Sequence, residues 1–492
     1  MLILLVIPTA MRLFLLLFCL LLSLLPAVIF AQSANQPGQY QFENWYETRE
    51  FSPYSFVNGQ TAGMGLLDFT VRDSTGDLFR NSAKNYRGSG SRLIISPSYT
   101  GMSMRLDREQ RIRQQFGENQ TIETSTINNR NTYNTLFLPL GLIYETGSFY
   151  AGGLITFSNF SNDLVVEEQT TSARNVTSSN LFTNDENVSG RPFHLLAGYH
   201  LSDDITISLF YKRMNLDRDN TFINRSNQIT SESENTFRSE FMGTGIGFSV
   251  LNGKSYLLAG LYSNRSENRE EDSAGRFWSE ADGFTLEYEH LQPLTETLSA
   301  GLKATFSRRN IDDRTTQNIF DQYDARFNTT GIGAGINKRL SSTVVAAELF
   351  YTMSEFRVDQ EQTFTQDGIS ETTQTVNQNF LILRAGIDTP FYSDIRLQAG
   401  IQHTFIDRSI DFSDTATLED QLIFESNFTN NPLSKESLTR FTSGLTYSLA
   451  SLDFIYSLNV ELRPQNIVFS QNESNNNLSS QFVNQISVSY RF

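Results

Sequence analysis

Cysteine is nearly missing from this 492-residue chain, where Cys19 stands alone. It lies inside the amino-terminal apolar run, several residues before a plausible cleavage point, so it does not read as a lipid-attachment site. Once that run is removed no thiol is left, which excludes disulfides, thiolate nucleophiles and cysteine-ligated metals. Histidine is scarce as well, with His194, His200, His290 and His403 the whole set. No glycine-rich phosphate loop, His-Glu-x-x-His helix or calcium-loop pattern occurs, so neither a metal nor a cofactor is expected. Positive charge is in deficit: 38 Lys and Arg face 54 Asp and Glu, a formal charge of −16 that makes the chain a poor nucleic-acid binder. Long hydrophobic runs are absent after Ala31, which leaves no candidate for a transmembrane helix in the remainder.

The run from Met1 to Ala31 reads as a secretory leader, with Met11-Arg12 ahead of its Leu-rich core and cleavage after Ala31. Its loss removes Arg12 and no acid, so the mature chain is one unit more negative.

What the sequence does have is aromatics, 12% of residues with 39 Phe and 19 Tyr, set among Asn, Ser and Thr. They fall at every second position. In the stretch from Gln481 to Phe492, the residues Phe482, Ile486, Val488, Tyr490 and Phe492 share one face, and Gln485, Ser487, Ser489 and Arg491 the other. That is the period of a strand with one apolar and one polar side. The same pattern recurs at Leu136, Leu138, Leu140, Leu142 and Tyr144, and across a Glu145-Thr146-Gly147 turn at Ala151, Gly153, Ile155 and Phe157. It returns in further hairpins: Phe193 to Tyr211, Met242 to Tyr262, Phe284 to Phe306, Ile332 to Tyr351, Leu381 to Ile401 and Leu445 to Leu462. Asn252-Gly253 is a strong hairpin signal. Pro97 suits an edge or a bulge.

Strands of roughly 9 to 14 residues, tilted, are long enough to cross a bilayer core. Tight turns alternate with long polar segments such as residues 158–191, which are expected to be loops. A sheet in lipid must close, because an open edge would leave backbone donors and acceptors unpaired. The fold class is therefore all-β, a transmembrane antiparallel β-barrel of about 14–16 strands preceded by a compact segment of short helix and loop. Its parts are a leader over residues 1–31, that segment over 32–89, which the family resemblance described below implies is an internal plug, and the barrel over 90–492. The partners implied are outer-membrane lipid and lipopolysaccharide. The stretch from Gln481 to Phe492 also resembles the terminal strand by which such barrels are handed to their assembly machinery.

The polar faces would line the lumen. Glycines are frequent there, among them Gly243, Gly245, Gly247, Gly301, Gly331, Gly333, Gly335, Gly386 and Gly400, and each leaves room for something else. Charged lining candidates are Glu287, Lys303, Glu348, Arg384 and Arg396. His403 shares the apolar face with Ile401 and Phe405; it is followed by Thr404, so the nearby serine nucleophile of a lipid-facing hydrolase is missing and no catalytic residue is assigned.

Ahead of the first strand, Gly59-Gln60-Thr61-Ala62-Gly63-Met64-Gly65 is followed by acids and then by Asn81-Ser82-Ala83. This resembles the amino-terminal region of the FadL/TodX family of outer-membrane transporters for hydrophobic compounds, whose corresponding segment folds inside the barrel as a hatch. Ser82 stands where that family has proline, and Leu66-Leu67-Asp68-Phe69 where it has glycines and alanines. The resemblance implies a gate made by Gly63, Met64, Gly65, Asp73, Asn81, Ser82 and Ala83, and passive uptake of a small hydrophobic or amphipathic ligand. The alternative is a non-transporting barrel whose polar loops bind a partner or surface, or which assists protein secretion.

Overall fold

The computed structural model describes residues 61–73, 76–84, 90–116, 119–172, 175–225, 229–270, 276–315, 322–364, 368–414, 434–470 and 473–492. The leader, Cys19 and the start of the expected plug, residues 32–60, lie outside them. Among the described residues one short helix, α1 (Gly76–Arg80), precedes the strands. These are β1 (Arg92–Ile95), β2 (Ser98–Phe116), β3 (Asn119–Thr146), β4 (Phe149–Ser172), β5 (Asn175–Gly190), β6 (Phe193–His200), β7 (Ile205–Asn224), β8 (Ile229–Val250) and β9 (Gly253–Glu270). They continue as β10 (Arg276–Pro293), β11 (Leu298–Thr315), β12 (Gln322–Leu340), β13 (Thr343–Phe364), β14 (Gly368–Tyr392), β15 (Ile395–Asp414), β16 (Ser434–Leu449), β17 (Leu452–Ser470) and β18 (Glu473–Arg491).

Successive staves pair antiparallel, and β18 returns to β1 and β2, which closes the sheet. The closed barrel has 16 staves, because β1 with β2 and β5 with β6 are single staves interrupted by proline. Register passes through both breaks unchanged: Ile95 faces Val488 and Ser98 faces Gln485, while Gly190 faces Ser158 and Phe193 faces Ile155. Pro97 thus marks neither an edge nor a bulge. Pro97 and Pro192 each lack the amide that a ladder needs, but their carbonyls still accept, from Ile486 N at 2.9 Å and Thr156 N at 2.8 Å.

The faces are inverted relative to a water-soluble sheet. On β7 Leu209 is 64% exposed while the adjacent Ser208 is 1% exposed. On β3 the exposed Leu136, Leu142 and Tyr144 alternate with buried Phe137 and Ile143. Three tyrosines on the outer face, Tyr99, Tyr351 and Tyr456, each donate to an asparagine on the next stave, Asn134, Asn379 and Asn484, at 2.7, 3.3 and 3.1 Å. A ring that is apolar in body and hydrogen-bonded at its tip suits the edge of an apolar belt.

Two expectations fail. The staves are not 9 to 14 residues long: β3 has 28 and β14 has 25. Residues 158–191 are not a loop, since β4 and β5 pair along that length from Ser158 opposite Gly190 to Ser172 opposite Asn175. Beyond the apolar belt polar residues stand on both faces of these strands and inward apolar residues such as Phe160 and Val188 are widely spaced, so the composition there lacks the alternation of the belt. The turn expected at Asn252-Gly253 is displaced by one residue: Val250 pairs with Gly253, and positive φ falls on Leu251 and Asn252. The remaining hairpin partners fall as expected, with Leu286 opposite Phe306 and Tyr288 opposite Ala304.

Candidate functional site

Residues 61–84 run through the barrel interior from the wall of β14–β16 to the wall of β4–β9, and inward-facing groups of the strands hold them at each step. Met64 N donates to Thr61 O at 3.0 Å, forming a turn. Thr442 clamps it: its hydroxyl accepts from Gly65 N at 2.7 Å and donates to Gly63 O at 3.0 Å. Gly65 has φ +78°, a conformation that suits glycine. Met64, fully buried with Leu67 and Ala346, lies on the backbone of Gly386 and Gly400.

Next the chain crosses β13, where Glu348 meets it. The carboxylate accepts from the amides of Asp68, Phe69 and Thr70 at 2.8 to 3.0 Å, and from the Thr70 hydroxyl at 2.8 Å. Three successive amides aimed at one buried carboxylate replace its hydration. Asn337 donates to Thr70 O. The methyl of Thr70 and the ring of Phe69 occupy the space left by Gly301, Gly333 and Gly335.

Helix α1 is capped at its start by Asp73, whose carboxylate accepts from Gly76 N at 3.0 Å, while Asp77 accepts from Asp73 N at 2.9 Å. At its end Lys212 donates to Phe79 O at 3.1 Å, satisfying a carbonyl that the helix leaves open. Asn81 continues the helical pattern by donating from its amide to Asp77 O and turns the chain by accepting from Ala83 N. Ser82 meets Ser208 at 2.8 Å and accepts on its carbonyl from the Tyr150 hydroxyl at 2.6 Å. Ala83 rests against Gly245 and Gly247.

An ion network ties this segment to β10, β11, β13 and β14. Lys303 contacts Asp68 at 2.8 Å, Glu289 at 3.0 Å and Glu287 at 3.5 Å. Lys84 pairs with Glu289 and approaches Asp77 at 4.0 Å. Arg384 reaches Glu348 at 3.4 Å and Asp68 at 3.8 Å, and Arg80 reaches Asp68 at 3.3 Å. Burial alone would raise the Asp68 carboxyl, but Lys303, Arg384 and Arg80 outweigh it and hold it well below the usual carboxylate range. The Lys84 ammonium is held above the lysine range, because Glu289 and Asp77 overcome the effect of burial.

Asp77 moves the other way. Burial pushes its carboxyl up to about 6 from 3.8, with Lys84 opposing and Asp73 adding to the rise. A raised value means that the docked segment binds this proton more tightly than the undocked one. The Asp77 contribution is therefore complete below pH 3.8 and is lost as pH rises through about 6, a swing of roughly 3 kcal/mol. Asp77→Asn is expected to flatten the pH dependence of docking across that window. Amide exchange over residues 76–84 measures it, and an unchanged profile in the variant would exclude Asp77 as its source.

On the β4–β9 side the interior is apolar. Leu78 and Phe79 pack with Tyr150, Leu154, Leu196, Phe210 and Leu258. Toward the long-strand end a second cluster, Val188, Met214, Leu216 and Phe237 with Phe160, continues on the same sector of wall. A cleft beside the network mixes the charged groups of Asp68, Arg72, Lys84 and Glu289 with the apolar Phe69, Val71 and Leu291.

The structure thus brings Glu287, Lys303, Glu348 and Arg384 to the segment, and seats Gly63, Met64 and Gly65 on one wall and Ser82 and Ala83 on the other. Arg396 does not join them: it pairs with Asp388 at 2.8 Å and donates to Ser342 O near the short turns. Asp68, Arg80, Lys84 and Lys212 are contributors that the sequence did not single out, since their partners are hundreds of residues away in several cases. Seven of the nine inward glycines touch the segment; Gly243 and Gly331 face Phe210 and Phe350 of the wall. His194 and His200 are buried inward as expected. His403 lies in a regular ladder, 2.8 Å from the Thr439 hydroxyl and edge-on to Phe405.

No protein family matches the sequence, and no curated protein matches it. Among solved structures, the chain is similar to the P. putida toluene transporter TodX, at 11% identity and a TM-score of 0.41 over 89% of this chain and 99% of that one. It is similar to a Pseudomonas aeruginosa FadL homologue at 10% identity and 0.40, over 89% and 98%. The Ralstonia pickettii toluene transporter TbuX stands at 10% and 0.36, over 89% and 99%. Likenesses of this degree concern the barrel as a whole and carry nothing about ligand or activity.

Proposed function

We propose that this barrel lies in the outer membrane of a bacterial envelope and passes small hydrophobic or amphipathic molecules without an energy source, residues 61–84 being the obstruction that must shift. The outward belt of Leu, Ile, Phe and Tyr supports a membrane setting, and tight turns at one end with tall staves at the other support the orientation. The observation that carries the ligand class is the apolar inner wall on the β4–β9 sector. A lumen filled only with water would not favour buried Val188, Met214, Leu216 and Phe237, with half-buried Phe160 against them, in line with the Leu78–Phe79 contact.

Loop binding, the other reading, drew on long polar loops, and the described residues of one such segment, 158–191, are mostly paired strand.

Single-channel conductance in planar bilayers tests the proposal, comparing the protein without its leader to a variant also lacking Gln32 to Ser89. The intact form is expected to be closed and the shortened form to conduct. Equal conductance in both would make an open pore of the barrel, and two silent forms would mean that wall side chains fill the lumen.

A further inference from the structure

The outer face carries an unexpected distribution of arginine. Just beyond the apolar belt, on the long-strand side, Arg213, Arg238, Arg265, Arg308, Arg326 and Arg357 all fall on the outward parity of β7, β8, β9, β11, β12 and β13. Each stands one to three alternations from an outward apolar residue of its own stave, after it where the strand runs toward the long end, as Arg308 after Phe306 and Arg357 after Met353, and before it on the returning strands, as Arg238 before Met242 and Arg326 before Ile332. Arg238, Arg308, Arg326 and Arg357 are exposed.

Register makes the arrangement specific. Arg238 lies directly opposite Arg265, and Arg326 directly opposite Arg357. Like charges facing each other across an antiparallel pair are repulsive, and on a chain with an excess of acid they recur, since Arg105 also faces Arg130 and Arg269 faces Arg276. Acids on the same face relieve them in part: Glu240 lies 3.7 Å from Arg213 and Glu280 lies 3.7 Å from Arg265, the latter pair more than half exposed on both sides. Beside Arg326 and Arg357 the neighbouring outward pairs also bring acid, Asp324 opposite Asp359 on one side and Glu355 opposite Asn328 on the other. Two guanidinium groups on adjacent strands form a fork suited to a tetrahedral dianion, since each can give two parallel N–H donors to phosphate oxygens.

From this we infer that the Arg238–Arg265 and Arg326–Arg357 pairs are binding sites for phosphate-bearing lipid headgroups of the leaflet at the long-strand end. The inference rests on the reading that the apolar belt lies in a membrane. Height selects lipid over free phosphate, because the arginines stand where headgroups of a lipid in contact with Leu261, Phe306 and Met353 would be. The lipid is held twice, by its chains on the belt and by its phosphate on the pair.

The test uses the whole barrel in nanodiscs of neutral phosphatidylcholine doped with diphosphoryl lipid A or with its dephosphorylated form. Native mass spectrometry reads the lipid retained after extraction. Wild type is expected to retain the phosphorylated form selectively. Arg238→Gln with Arg265→Gln, and separately Arg326→Gln with Arg357→Gln, are each expected to lower retention about tenfold. Arg339→Gln, an exposed arginine at the short-turn end, is expected to leave it unchanged. Thermal unfolding gives an independent reading: the double variants should be as stable as wild type or more so in neutral detergent, and less stable in discs containing the phosphorylated lipid. Equal retention by the variants, equal retention of the dephosphorylated lipid, or displacement by inorganic phosphate would each overturn the inference. Failure of wild type to enter neutral vesicles at all would instead overturn the membrane reading.

Discussion

Replacing Gly386 and Gly400 together by alanine is expected to unseat the internal segment and open the barrel to ions. The two glycines face each other across β14 and β15. A methyl group at Gly386 would overlap the Met64 carbonyl, and one at Gly400 would overlap the Gly65 amide and the Met64 carbonyl carbon. The obstacle in both cases is backbone, which cannot rotate away as a side chain can. Overpacking of this kind costs roughly 1–3 kcal/mol at each site, so the docked population should fall at least about tenfold. The measurement is conductance in planar bilayers, with Gly331→Ala as control. That glycine is also crowded, but by Phe350 and the Thr305 hydroxyl, which belong to the wall. A double variant as closed as wild type, or a control as open as the double variant, would sink the idea that the glycine seat holds the segment.

Glu348→Ala is expected to act still more strongly. It strips the acceptor from three successive amides and removes a partner of Arg384, all inside the barrel. An unsatisfied buried donor costs about 1–3 kcal/mol, so the loss should reach several kcal/mol and exceed the effect of either alanine above. Glu348→Gln keeps one carboxyl-type oxygen, the atom that already accepts from Phe69 and Thr70, and should retain most of the docking. Limited proteolysis within residues 61–84 in detergent separates the two: rapid cleavage in the alanine variant, near wild-type protection in the glutamine variant. If both behave as wild type, the cradle around Glu348 does not hold the segment.

The belt was legible in the sequence because a strand between lipid and lumen alternates its solvent at every residue, and Leu136 to Tyr144 record that contrast directly. Where the contrast vanishes the reading failed. Between Ser158 and Arg191 polar residues occupy both faces, and inward apolar residues such as Phe160 and Val188 are too widely spaced to show a period, so a long polar strand looked like a loop. The inward glycines were legible as space, but not as space for particular atoms: only the fold shows that Gly386 and Gly400 receive Met64. The ion network was legible in half. Glu287, Lys303, Glu348 and Arg384 stood out as charges on lumen-facing positions, whereas Asp68 and Lys84 sit in an irregular segment with no periodicity to orient them. Arg396 shared the parity of the others and differs only in height, which a sequence does not state.

The clamp on Gly65 joins residues 377 positions apart, and the Glu348 cradle joins residues 278 to 280 apart. Contacts so distant along the chain form slowly, because a large loop must be closed before any of them is gained. Residues 61–84 precede every strand they touch, yet their seat is incomplete until β16 is in place. Docking of the segment is therefore complete only once β16 is in place. A kinetic experiment would see its protection arise late, after the hairpins of the wall and close to the moment when β18 meets β1.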